Sequence, residues 1–172
     1  MIECKKFIGK FRGSVVNNID PDKRARIQVV VPDVGALGLT TWALPSLPIG
    51  GIQTGVFSIP VVGSGVWVEF EQGDLDYPIW VGTFWGTTAE VPALALSLPP
   101  GVPGIVMQTP LQNGLLMSDA PGPTGGILIK NATGAFILIN DSGIFIENGK
   151  GASITMSGPT VIINKGNLTV LG

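Results

Sequence analysis

The sequence of 172 residues has no histidine, one cysteine, and charge on only 13% of its positions. Without histidine no Ser–His or Cys–His set can be assembled, and no carboxylate pair stands out for acid–base work, so no catalytic residues are assigned. Cys4 cannot form an internal disulfide alone, and with no base beside it reads as an incidental thiol. No run of about 20 helix-compatible apolar residues exists, so no membrane-spanning helix is expected. Residues 34–68 are uncharged, but Pro45, Pro48 and Pro60 interrupt them. Residues 91–118 are also uncharged, and five prolines break them. The opening MIECKKFIGK lacks the apolar core of a secretory signal. The expectation is synthesis in the cytoplasm without a signal peptide, and the sequons at Asn131 and Asn167 then carry little weight.

What is plentiful is glycine (25 residues) and proline (14). That composition disfavours long helices and favours short strands joined by turns. A hydrophobic content of 45% is too high for disorder. It is also high for a monomer, so part of the apolar surface is expected to be covered by other chains.

Charge is distributed unevenly. Residues 1–26 carry seven bases, Lys5, Lys6, Lys10, Arg12, Lys23, Arg24 and Arg26, against Glu3, Asp20 and Asp22. From there to residue 129 come only acids: Asp33, Glu69, Glu71, Asp74, Asp76, Glu90 and Asp119. Phosphate binding along that stretch is electrostatically opposed, so no nucleic-acid partner is expected despite the aromatics Trp42, Phe57, Trp67, Tyr77, Trp80 and Trp85. Glu69, Glu71, Asp74 and Asp76 lack the spacing of a calcium loop and read as solvated or turn-capping acids. Gly63-Ser64-Gly65 lacks the Lys-Ser/Thr of a phosphate loop. No metal or cofactor is assigned.

The first half reads as short strands. A strand over about 8–16, a turn at 17–22 with Asn17-Asn18 and Asp20-Pro21-Asp22, and a strand at 25–31 come first. Val29, Val30 and Val31 suggest burial on both faces. Val66, Val68 and Phe70 then alternate with Trp67, Glu69 and Glu71, so the two sets should occupy opposite faces of one strand. Gln72-Gly73-Asp74 turns, and residues 77–85 form the partner. Four or five strands in about 85 residues suit a small closed barrel. Residues 87–103 read as a Pro-rich linker, extended and stiff.

The last third repeats one unit, an apolar pair of the form Φ-x-Φ followed by a turn. The pairs are Ile105/Met107, Leu115/Met117, Ile127/Ile129, Ile137/Ile139, Ile144/Ile146, Ile154/Met156, Val161/Ile163 and Leu168/Val170. A strand this short cannot bury two apolar groups alone, so the repeat needs stacked neighbours. Three chains wound about one axis would supply them. Each face of the resulting triangular prism would take strands from all three chains, with the pairs filling the axis. Eight strands at about 4.8 Å would extend such a prism roughly 40 Å.

FRGSVVNNIDPDKRARIQVVVPD, TWALPSLPIGG and FSIPVVGSGVWVEFEQGDLDYPIWVGTFW together resemble the oligonucleotide/oligosaccharide-binding (OB) barrel of contractile-tail spikes. That family includes the phage baseplate spike, the VgrG-like spike of type VI secretion, and the spikes of extracellular injection particles. Its P-x-x-G-x-x-V-x-V-x-F-x-x-G-D-x-D-x-P core runs from Pro60 to Pro78, and GIVMQTPLQNGLLMSDAPGPTGGILIKNATGAFILIND is similar to the start of its trimeric prism.

The resemblance implies an all-β homotrimer with an OB-type barrel over 1–86, a linker over 87–103, and an intertwined triple-stranded β-helix over 104–172. Its trimer core would be Ile127, Ile129, Ile137, Ile139, Ile144, Ile146, Ile154, Met156, Val161, Ile163, Leu168 and Val170. The implied role is a structural spike that pierces an envelope, meets it only transiently, and is not an enzyme. It would be assembled into a phage tail or tail-like injection particle. With no lysozyme-like insert, wall cutting is not implied. With no fused hub domain, a separate trimeric hub is expected, with Trp67, Glu69 and Glu71 as possible contacts. The histidine-bearing metal tip of some spikes is missing, so a blunt end covered by a PAAR-type tip protein is expected. The alternatives are a receptor-binding trimeric fibre or an OB-type binding module.

Overall fold

The computed structural model describes residues 6–35 and 40–171; Cys4 lies outside them. The chain divides into two compact units, residues 1–88 and 89–172.

The first unit is a five-stranded mixed sheet closed on itself. Its strands are β1 (Phe11–Asn17), β2 (Gln28–Val30), β3 (Leu44–Pro45), β6 (Gly65–Phe70) and β7 (Pro78–Phe84), in the order β2-β1-β6-β7-β3. The pairing is antiparallel except for β3, which runs parallel to β7. β4 (Gly50–Gly51) and β5 (Thr54–Gly55) form a separate small hairpin. Closure comes at the two edges of the five-stranded sheet. Ile27, just before β2, bridges Ala43, just before β3, through two backbone hydrogen bonds of 3.1 and 2.8 Å. Joining the edges removes the unpaired backbone that an open sheet would expose.

Alternation sorts the side chains. Val66, Val68 and Phe70 point into the barrel with Val15, Ile27, Val29, Val31, Ala43 and Trp80, and all are buried. Val30 is only half-buried, so the Val29–Val31 run is covered on one face more than on the other. Trp80 satisfies its indole N–H by donating to the Ala25 carbonyl at 3.0 Å, which lets a large amphipathic ring sit inside.

The β1–β2 turn is organised by Asp20, whose side chain is 1% exposed. It accepts backbone N–H bonds from Asp22 (2.9 Å), Arg24 (2.8 Å) and Arg26 (3.2 Å). Arg26 also grips it through Nε (3.0 Å) and Nη2 (2.6 Å), reaches Asp22 at 2.8 Å, and lies 5.4 Å from the Trp42 ring centroid. The guanidinium, aided by the three N–H groups, holds the Asp20 carboxyl well below the usual carboxylate range, although burial acts in the opposite sense.

The second unit holds eight strands: β8 (Gly104–Gln108), β9 (Gly114–Ser118), β10 (Gly126–Lys130), β11 (Ala135–Asn140), β12 (Gly143–Asn148), β13 (Ser153–Ser157), β14 (Thr160–Ile163) and β15 (Leu168–Leu171). Each pairs antiparallel with its neighbour in sequence, so one chain builds a continuous eight-strand meander. The stacked neighbours that the repeat requires are therefore supplied within a chain, where the sequence suggested interleaving from three. The reason is local. Turns of two to seven residues, organised by Asn131, Asn140 and Asn148 accepting backbone N–H bonds, return each strand beside the last.

The Pro-rich segment departs from the expected extended linker. Ala93–Leu96 form one helical turn, α1, packed against β8 and β9. The Leu94 N–H donates to the Gln108 side chain at 3.1 Å, and Leu94 is buried. A Cβ at Gly114 would collide with the Leu94 side chain, so the bare strand at that point is what admits the helix. No helix among the described residues is long and apolar enough to cross a membrane.

Candidate functional site

Strand alternation in the second unit gives two unlike faces. One carries two columns that run through all eight strands in register. The first is Ile105, Met117, Ile127, Ile139, Ile144, Met156, Val161 and Val170. The second is Met107, Leu115, Ile129, Ile137, Ile146, Ile154, Ile163 and Leu168. Every position in these two columns is apolar. The opposite face has a central column, Val106, Leu116, Leu128, Leu138, Phe145, Thr155 and Ile162. Polar groups flank it, including Lys130 and Glu147 on one side and Asn140 and Ser157 on the other.

The apolar face is bare in a single chain. Ile127, Ile129, Ile137, Ile139, Ile154, Leu168 and Val170 are exposed. Ile144, Ile146, Met156, Val161 and Ile163 are half-buried. The structure thus brings all twelve named candidates onto one face in two lines. It adds four more from β8 and β9, of which Ile105, Met107 and Met117 are exposed. The sequence signal for those four was the same Φ-x-Φ spacing. A continuous apolar surface of this extent is unusual on a monomer and marks a surface that another chain covers.

The barrel candidates separate. Trp67 and Glu69 share the outer face of β6, both half-buried. Glu71 does not join them: it opens the 3₁₀ turn Glu71–Gly73 past the end of the strand, where its N–H donates to the Tyr77 carbonyl at 2.9 Å. Trp67 has neighbours the sequence did not reveal. The Arg12 guanidinium lies 5.5 Å from its ring centroid and 5.4 Å from that of Phe84, and the two rings are 5.0 Å apart. Arg12 stands opposite Trp67 across β1 and β6, a pairing visible only once strand register is known. Glu69 meets Lys10 at 3.9 Å. Asp74 caps its own turn by accepting the Asp76 N–H at 3.0 Å. Among the described residues no group of three or more His, Cys, Asp or Glu is placed to hold a metal ion.

Comparison with known families follows the same division. Residues 11–85 match the type VI secretion system/phage-baseplate injector OB domain. Residues 104–169 match the phage baseplate V C-terminal trimerisation domain. Together the two matches cover most of the chain, in the order barrel then trimerisation domain. A search of curated proteins returned no match.

Proposed function

We propose that this chain, which belongs to the baseplate spike proteins of contractile tails and injection systems, forms the rigid trimeric needle at the centre of such a baseplate. The observation that carries the reading is the pair of unbroken apolar columns on one face of β8–β15. Three copies of that face, turned toward a common axis, would bury about 25 cal/mol of favourable free energy per Å² of apolar surface removed from water. The face bearing Lys130 and Glu147 would remain in solvent. With an ordinary twist of about 20° per strand step, seven steps turn each ladder by about 140°, so three ladders would coil about one another.

The mechanical role needs no reactive group. Consecutive strands are tied by backbone hydrogen bonds along the stacking direction, and β8–β15 form seven such pairings without interruption. Load along the stack would be carried by those ladders and by the packed Ile, Val, Leu and Met columns. Short turns leave little slack between strands. On sheath contraction the trimer would be driven through the target envelope.

The finer assignments follow from the family resemblance. The barrels dock on a separate trimeric hub, with the Trp67 and Glu69 face as the contact surface, since aromatic groups favour interface centres. A PAAR-type protein caps the β15 end of the needle. Cryo-electron microscopy of contractile particles assembled with this chain tests the placement. Density for one trimer on the tail axis, between hub and tip, is the expected result. Finding the chain only on peripheral fibres would overturn it.

A further inference from the structure

Between β3 and β6 the barrel chain makes an excursion that the barrel does not use. The β4–β5 hairpin within it pairs Gly50 with Gly55 and Gly51 with Thr54, and adds no strand to the five-stranded sheet. Its roots are fixed. The Ser46 N–H donates to the Trp80 carbonyl at 2.9 Å, the Asn18 side chain to the Pro60 carbonyl at 3.0 Å, and the Gly63 N–H to the Val15 carbonyl at 2.8 Å. Its tip is bare: Ile52 is 97% exposed and Phe57 67%, and Ile49, Val56 and Val62 are exposed as well.

A lone two-stranded hairpin is marginal in water and gains stability by packing on other surface. This one displays apolar groups while no charge occurs anywhere from residue 34 to residue 68. The whole excursion could therefore be buried without stranding a charge. Exposed apolar groups concentrated on one uncharged segment mark a contact surface.

We propose that this finger packs on the barrel of a neighbouring chain in the same homotrimer. The inference rests on the trimer reading of the preceding subsection. β7 ends at Phe84 and β8 begins at Gly104. Even fully extended, the residues between them span at most about 70 Å. Three trimerisation domains joined to three barrels by so short a tether hold those barrels at roughly millimolar effective concentration. A sister barrel is thus present at the finger from the moment the trimer forms, before any hub arrives. Finger onto neighbouring barrel is a heterologous contact, and repeated three times about the axis it closes into a ring. Such a ring would make the three barrels a single platform, where the trimerisation domain alone would leave them separately tethered.

The test is site-specific photo-crosslinking in the full-length, hub-free protein. Benzoylphenylalanine replaces Ile52 in one preparation and Ile19 in another. Ile19, 81% exposed in the β1–β2 turn, is the solvent-accessible control. Light scattering on the same samples gives the oligomeric state. The expected result is a trimer in which residue 52 joins chains at least several-fold more often than residue 19, with attachment mapped to residues 6–85 of another chain. A trimer with no interchain product at 52 overturns the proposal while leaving the spike reading intact. So does a product that forms only after hub protein is added, which would make the hub the occupant. A monomer overturns both readings.

Discussion

Ile139 of β11 stands in register with Ile144 of β12, and both belong to a column that continues through Met156, Val161 and Val170. Each residue of the pair already touches the other's strand, so what remains to be covered is the outward half of the column. That half is the surface assigned to the trimer axis.

Ile139→Asp and Ile146→Asp should each prevent trimer assembly, because three carboxylates would meet in an apolar axis. The sharper comparison uses adjacent residues of β13. Ile154 lies on the apolar face and Thr155 on the other. Ile154→Asp should abolish the trimer in light scattering, whereas Thr155→Asp should leave it. Equal behaviour of the two variants would mean that the wrong face, or neither, is buried.

The Asp20–Arg26 pair gives the barrel a pH dependence with a defined sign. The folded-state pKa of Asp20 lies below its ordinary value of 3.8. The stabilisation is therefore complete above that value and is lost as pH falls below it toward the folded-state pKa. All four tryptophans fall within the first unit, so tryptophan fluorescence reports its melting separately. Wild type should lose melting temperature between about pH 4 and pH 2 more steeply than Asp20→Asn, and the variant should already melt lower at about pH 7. Parallel curves would show that Asp20 does not organise the turn.

Two glycines with positive φ should respond very differently to alanine. At Gly126, φ is +92° and a Cβ would fall on the Ile139 carbonyl oxygen, a backbone atom with no room to move. At Gly158, φ is +52° and nothing lies within 4 Å. Gly158→Ala should cost roughly 1–2 kcal/mol, the ordinary left-handed penalty. Gly126→Ala should cost clearly more, read as a larger loss of denaturant-resistant trimer.

Glu69 offers a test that separates stability from docking. Its ion pair with Lys10 is largely solvent-exposed at 3.9 Å, and such pairs contribute about 0–1 kcal/mol. Glu69→Gln should leave barrel melting nearly unchanged. If β6's outer face meets the hub, that variant should instead lower hub capture in a pull-down. A variant that binds hub as wild type does would remove Glu69 from the interface.

Much of the fold is legible in the sequence because short-range physics dominates it. Each Φ-x-Φ pair lies within one of the strands β8–β15, since period-two apolar spacing bounded by Gly, Asn and Asp leaves few other options. The inward set Val66, Val68 and Phe70 follows from the same alternation. What was hidden depends on register and on tertiary contact. Arg12 meets Trp67 only because β1 lies antiparallel to β6. Glu71 leaves its strand because Gln72 adopts a left-handed conformation (φ 54°) and folds the chain into a turn. The helical turn Ala93–Leu96 forms among prolines that suggested extended chain, because Pro92 can precede a helix and Leu94 gains a buried seat above Gly114. Which chain supplies a strand's neighbours is likewise beyond spacing alone, and here the turns supply them from within.

The most direct measurement of the central claim is the solution mass of the purified chain by light scattering, with and without mild denaturant. A mass three times the 17.9 kDa of the chain, persisting in denaturant, is the predicted result. A stable 17.9 kDa monomer would contradict the buried axis and with it the spike.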